Sequence, residues 1–255
     1  MLQRSNYRSL TIIGAVKYMT THRPVKERSP RSNPTKAGRP LIVGVIASLA
    51  DLRFALGMKQ PPDLFELRLD CLGPIGKQLE KKFTRLRAPL IITARNPREG
   101  GTGNLSLQKR RDLLLRFLPH AKYVDVELRS ARAFKPFLAQ VRKRNARVIL
   151  SFHDFKSTPS PRSLCAKAGK AKTLGADIFK VATRTDEPSE LARLVDFITG
   201  GDLNLPVSAM GIGRLGAISR LLLARSGSAL NYASLQQSVV EGQLPIHLLR
   251  SALPR

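Results

Sequence analysis

The stretch RVILSFHDFKSTPSPRSLCAKAGKAKTLGADIFKVAT, residues 147–183, decides the fold. Its two ends, RVILSFHD (147–154) and IFKVAT (178–183), are runs of strand length rich in Val, Ile and Phe. The piece between them reads as a helix, with Pro161 at a first-turn position and Gly175 closing it. Strand, helix and strand in succession imply parallel pairing through a right-handed crossover. The same unit recurs in both directions. Further runs lie at LIVGVIA (41–47), LFELRLD (64–70), LIITAR (90–95), YVDVEL (123–128), PVSAMG (206–211) and ALNYASL (229–235). Ser106 precedes LQKRRDLLLRFL, whose Leu113, Leu114 and Phe117 share a face, and Pro188 and Gly200 bound the helix-like EPSELARLVDFITG. Eight such units in about 215 residues match an α/β fold of the (β/α)8 TIM-barrel type, one domain over residues 41–255. An open doubly wound sheet is the rival. It would carry a Gly-rich phosphate turn after the first strand, and VIASLADL (45–52) has none.

Side chains alternate along a strand, so residues two apart share a face. Phe65, Leu67 and Leu69 oppose Glu66, Arg68 and Asp70; Val124, Val126 and Leu128 oppose Asp125 and Glu127. Thr93 pairs with Arg95, Ser151 with His153, and Lys180 lies between the opposite-facing Phe179 and Val181. The apolar sets suit the helix layer, which turns the polar sets inward, toward the strand ends where such barrels place their chemistry. Taken singly, each is an ordinary structural charge or a satisfied core histidine. Burying Glu66, Arg68, Arg95, Glu127, His153 and Lys180 together for stability alone would be expensive, so they read as a polar substrate site. The Thr93 and Ser151 hydroxyls are expected to satisfy neighbouring backbone.

Composition narrows the function. The hydrophobic share is 42%, ordinary for a globular chain, and no apolar run reaches membrane-helix length. Cys71 and Cys165 lie far apart, and His22, His120, His153 and His247 have no zinc spacing, so a reducing cytosol is the default compartment. The net charge is +26, which invites a nucleic-acid reading, but aromatics are 5% and no recognition signature accompanies it. Residues 1–40 hold nine Lys or Arg against one acid, +8, which leaves +18 for the rest. Their Pro-, Ser- and Arg-rich character predicts a mobile basic extension. A basic arm, a targeting peptide and upstream sequence before Met19 are the alternatives, and an extension without function is the plainest. The surplus in LQKRRDLLLR and QVRKRN reads as solvated outer-helix charge.

A lysine at a strand end, among apolar neighbours and other cations, is expected to lose its proton readily. The free amine could attack a ketone and form a Schiff base, whose iminium acidifies the adjacent carbon. A histidine in reach would take that proton, oriented by a carboxylate, and the arginines suit an anionic substrate. Residue types alone leave an imine-forming lyase and a class I aldolase both open.

Seven motifs in order go further: ELRLD (66–70), TARNPREGG (93–101), VDVE (124–127), SFHDFKSTP (151–159), GADIFKVA (175–182), MGIGRLGAISR (210–220) and GQLP (242–245). From Leu41 to Pro245 the chain resembles the type I 3-dehydroquinate dehydratases of the shikimate pathway, which serves aromatic amino-acid biosynthesis. The resemblance implies a (β/α)8 barrel, a homodimer, and no metal or cofactor. It implies dehydration of 3-dehydroquinate to 3-dehydroshikimate through a lysine imine. Lys180 then stands for the Schiff-base lysine, His153 for the general acid/base and Glu99 for the carboxylate that orients it. Glu66, Arg68 and Arg95 match the set around the ring hydroxyls, Arg220 the arginine for the substrate carboxylate, and Gln243 the lid glutamine. Glu127 ranks below these, as support for Lys180 or a partner of Arg68 or Arg95. One departure stands out: Val239 occupies the place of the family's lid serine, with Ser238 one residue away. Gly211, Gly213, Gly216 and Gly100-Gly101 read as turn residues, and His22, His120 and His247 receive no role.

Overall fold

The computed structural model describes residues 39–73, 77–200 and 203–253. The expected basic extension, residues 1–40, lies outside them apart from Arg39 and Pro40. Strands and helices alternate: β1 (Leu41–Ile46), α1 (Leu49–Gly57), β2 (Leu64–Arg68), α2 (Lys77–Phe83), β3 (Leu90–Thr93), α3 (Leu107–Phe117), β4 (Ala121–Glu127) and α4 (Lys135–Lys143). They continue as β5 (Arg147–Asp154), α5 (Pro161–Thr173), β6 (Ile178–Arg184), α6 (Pro188–Thr199), β7 (Val207–Ile212), α7 (Gly216–Arg225), β8 (Leu230–Ser234) and α8 (Ile246–Ala252). A 3-10 turn, Pro97–Glu99, follows β3.

From β1 to β7 each strand pairs in parallel with the next, and β8 returns to β1 in the register Leu41↔Leu230 to Val45↔Ser234. That pairing excludes the open wound sheet. Between β7 and β8 the seam is held by Ala229 N–H to Val207 O at 2.8 Å and by Ser208 Oγ to Leu230 O at 2.6 Å. The result is a nearly closed (β/α)8 barrel. Among the described residues no helix is long and apolar enough to cross a membrane.

Local chemistry sets the helix boundaries. Ser106 accepts the Lys109 N–H, and Ser160 accepts that of Ser163 ahead of Pro161. Glu187 and Glu190 form a reciprocal capping box around Pro188. Gly175 takes φ +80° just past α5, a backbone conformation that disfavours any side chain.

The core has two parts. Phe65, Leu67, Phe179 and Val181 point outward and pack with Leu114, Phe117, Leu164, Leu194 and Phe197 of the helices. Phe179 meets Phe197 edge-to-face at 6.3 Å. Inside the barrel Leu64, Ile91, Tyr123, Ile149 and Ile178 belong to a separate apolar cluster. Two residues further along each of these strands stand Glu66, Thr93, Asp125, Ser151 and Lys180, all buried. Strand alternation thus sets a polar tier on an apolar floor.

One helix side chain crosses from the outer layer to this tier. Arg110 of α3 is buried, donates from Nε to Ala94 O at 2.9 Å and pairs through Nη2 with Glu127 Oε2. The reading of LQKRRDLLLR as a solvated face does not extend to this residue, because the carboxylate beneath α3 draws its guanidinium inward. Arg110→Met leaves Glu127 with Arg95 and the Asn96 N–H as partners, so the loss should fall near the lower end for a broken buried pair. Urea unfolding is expected to show destabilisation by about 3 kcal/mol.

Candidate active site

Asp125 is the centre of the polar tier. Arg95 grips it with two bonds, Nη1 to Oδ1 at 3.1 Å and Nη2 to Oδ2 at 2.8 Å. Lys180 Nζ donates to Asp125 Oδ2 at 3.0 Å and to Glu66 Oε1 at 3.2 Å. Ser151 donates to Asp125 Oδ1 at 2.6 Å and accepts from Arg95, while Thr93 Oγ1 donates to Glu66 at 2.8 Å. These hydroxyls serve carboxylates, contrary to the expectation that they would satisfy backbone, because parallel register sets each beside an acid on the next strand. Burial opposes ionisation of Asp125, yet Arg95 and Lys180 hold its carboxyl far below the usual range. Burial likewise opposes the Arg95 charge, and Asp125 and Glu127 outweigh it and raise its pKa.

The surroundings of Lys180 also differ from expectation. Its amine touches two carboxylates and lies 3.8 Å from the Tyr232 ring centroid, instead of being crowded by other cations. Four strands explain the difference: β2 and β4 bring the acids, β6 the lysine and β8 the ring. Tyr232 is buried, and its pKa is raised by burial, then by Glu66 and Asp125, so it stays a neutral phenol.

His153 is the last residue but one of β5, with its side chain largely buried. Its main-chain N–H donates to Glu99 Oε2 at 3.1 Å, and its Nδ1 meets the same oxygen at 3.1 Å. Burial, followed by the Arg95 and Lys180 charges, lowers its pKa well below the ordinary histidine value. The ring is therefore neutral at neutral pH and, with Nδ1–H on Glu99, leaves Nε2 as a lone-pair base. Glu99 is pushed up to about 7, first by burial and then by Glu127, with Arg95 and Arg129 opposing. The turn carrying it is built by glycines. Gly100 takes φ +82°, and a Cβ on Gly101 would stand 2.2 Å from Arg95 O.

Arg68 is fixed by Asp70, Nε to Oδ1 at 3.0 Å and Nη2 to Oδ2 at 2.7 Å, and reaches Gly100 O at 3.1 Å. Arg220, on α7, is different. It is buried, donates to Gly242 O and Tyr232 O at 3.1 Å each, and has no acidic partner among the described residues. Burial alone lowers its pKa to about 10, which leaves it charged at neutral pH.

A loop from β8 to α8 covers one side. Gln243 Oε1 accepts the Val239 N–H at 2.9 Å, and Ser238 Oγ donates to Gln243 O at 3.1 Å. Glu241 pairs with Arg184 at 3.0 Å. Gly242, at φ +80°, lies so close to Gly216 that a Cβ would stand 2.6 Å from its Cα. The altered lid brings Val239 and Val240 to the cavity, and the Ser238 hydroxyl is engaged by main chain instead.

All eight residues singled out in the sequence (Glu66, Arg68, Arg95, Glu99, His153, Lys180, Arg220 and Gln243) line one cavity at the C-terminal ends of the strands. Glu127 does not support Lys180; it meets Arg95 Nη1 at 3.3 Å and the Asn96 N–H at 2.8 Å. Three participants were missed. Asp125 was placed on the inward face, but its pairing with Lys180 depends on strands 55 residues apart. Tyr232 lay in an apolar run, and Arg129, 3.8 Å from Glu99, lay in a turn without a motif. Among the described residues no group of His, Cys, Asp and Glu is arranged to hold a metal ion.

Comparison with known proteins assigns the chain to a family. The family model described as type I 3-dehydroquinase matches residues 48–254. The 3-dehydroquinate dehydratase of Shouchella clausii is 36% identical over 227 residues, covering 84% of this chain and 88% of that protein. That of Pyrococcus abyssi is 35% identical over 194 residues, covering 75% and 86%. The crystal structure of 3-dehydroquinate dehydratase from Geobacillus kaustophilus superposes with a TM-score of 0.76 at 29% identity, covering 86% of this chain and 91% of that one. With the model match spanning most of the barrel, the chain belongs to the type I 3-dehydroquinase family.

Proposed function

We propose that this protein dehydrates 3-dehydroquinate to 3-dehydroshikimate through an imine on Lys180. The observation that carries the reading is one cavity lined by a buried lysine amine, a neutral histidine and a buried arginine without an acidic partner among the described residues. The arginine, Arg220, takes the substrate carboxylate, since a buried guanidinium bonded to carbonyl oxygens and to no acid among the described residues gains most from a planar anion. Carboxylate binding there directs the ring ketone toward Lys180. The amine passes a proton to Glu66, within hydrogen-bond reach at 3.2 Å, and attacks the ketone carbon. Loss of water from the carbinolamine gives the iminium.

His153 Nε2 then removes the proton from the adjacent carbon, and the C–H electron pair moves into an enamine. The enamine expels the hydroxyl one carbon further on, which leaves with the proton that His153 returns. Water hydrolyses the imine and frees Lys180, so the net change is loss of one water. Glu66, Arg68, Arg95 and Gln243 surround the hydroxylated ring, and the Arg95–Asp125 pair holds that wall still.

The first test is turnover of 3-dehydroquinate, with Lys180→Ala expected to abolish it. Full activity of Lys180→Ala would overturn the reading. The pH profile supplies a second. Protonation of Glu99 below about pH 7 turns it into a donor toward Nδ1 and moves the imidazole proton to Nε2, so the base is lost. The kcat/KM should therefore fall as pH drops through about 7, and that limb should vanish in Glu99→Gln, which cannot titrate. A third concerns the lid. Val239 offers substrate no hydroxyl, so Val239→Ser is expected to lower KM by roughly 3- to 10-fold with kcat little changed, the worth of one net hydrogen bond.

A further inference from the structure

Arg129 stands two residues past β4, in a turn fixed by Leu128 N–H to Ser151 O at 2.7 Å and Ser130 N–H to Glu127 O at 2.8 Å. Its side chain is 49% exposed and lies outside the cavity, yet its Nε is 3.8 Å from Glu99 Oε1. Glu99 thereby divides its two oxygens: Oε2 serves His153 N–H and Nδ1, and Oε1 faces Arg129. Among the described residues Arg129 is the Lys or Arg at ion-pair distance from Glu99.

We propose that Arg129 is a positioning residue of this enzyme, clamping Glu99 from the solvent side so that the opposite oxygen stays on His153. The proposal rests on the dehydratase reading and adds to it a residue that touches neither substrate nor histidine. The charges around Glu99 explain why such a clamp matters. Glu127 of β4 repels it, and Arg110 of α3 is committed to Glu127. Arg95, past the end of β3, attracts it but is spent on Asp125, Glu127 and Ser151. Arg98 belongs to the same 3-10 turn and is exposed. On the histidine side, Lys180 of β6 and Arg68 of β2 disfavour the imidazolium, with Asp125 opposing them. Arg129 is thus the cation free to favour the carboxylate form of Glu99, and its removal lets Glu99 hold a proton to higher pH.

Because Arg129 is half exposed, the effect is modest and salt-sensitive. In Arg129→Gln the acid limb of kcat/KM should move up by about half a pH unit, with the high-pH plateau kept. Arg129→Lys should restore the original limb. Raised salt should move the wild-type limb toward that of Arg129→Gln and leave the variant's own limb in place. In a Glu99→Gln background, Arg129→Gln should shift nothing. A limb unchanged in Arg129→Gln, or a shift that persists in the Glu99→Gln background, would overturn the proposal. The clamp is also read without turnover, from the His153 ring 15N shifts against pH in resting wild-type protein and Arg129→Gln. The Nδ1–H tautomer should give way at higher pH in the variant, and identical titrations would refute the clamp. Absence of dehydration by the wild type, with that difference present, would fault the functional reading and leave the clamp standing.

Discussion

The contact between Asp125 and two cations, Arg95 and Lys180, is the constraint on which the site depends. A carboxylate taken fully out of water costs several kcal/mol, and only excellent pairing offsets it. Here the two cations occupy both oxygens, and Ser151 adds a further donor to Oδ1. Removing any member would strip a buried charge of one partner, and the remaining pairs, Lys180 with Glu66 and Arg95 with Glu127, would offset only part of the loss. The network therefore ties β3, β4, β5 and β6 at one height, and it holds the Lys180 amine at a defined point above the apolar floor.

From that point the rest of the site follows by strand geometry. His153 stands two residues beyond Ser151, Lys180 pairs in register with Ser151, and Glu127 stands two residues beyond Asp125. The side chain of Glu127 steadies the Asn96 N–H at the base of the turn that carries Glu99. Glu99 in turn reaches back to His153. A single row of inward residues thus positions the Lys180 amine and the His153 ring, with Glu99 beside the ring, Arg220 supplied from α7 and the lid from the loop after β8.

Much of this was legible in the sequence, for a physical reason. Alternation along each strand separates helix-facing from inward side chains, so Glu66, Arg68, His153 and Lys180 could be assigned a face without coordinates. Helix ends were equally plain at Ser106, Pro161, Pro188 and Gly175, where capping chemistry is local. What alternation cannot supply is the partner, because that depends on the stagger between strands. Asp125 was seen as inward but not as the mate of Lys180, and Arg110 was read as solvated though it pairs with Glu127. The Thr93 and Ser151 hydroxyls were misread for the same reason. The total charge of +26 proved a poor guide to function. Every carboxylate of the polar tier has a cationic neighbour, and the cavity's one telling charge is Arg220, which has no acid beside it among the described residues.

The central claim is that Lys180 forms a covalent imine with substrate in this carboxylate-lined site. Borohydride reduction of the protein in the presence of 3-dehydroquinate, followed by mass mapping of the peptides, tests it most directly. A reduced adduct on Lys180, absent in Lys180→Ala, is the expected result. Product formation with no trapped adduct, or an adduct confined to other lysines, would contradict it.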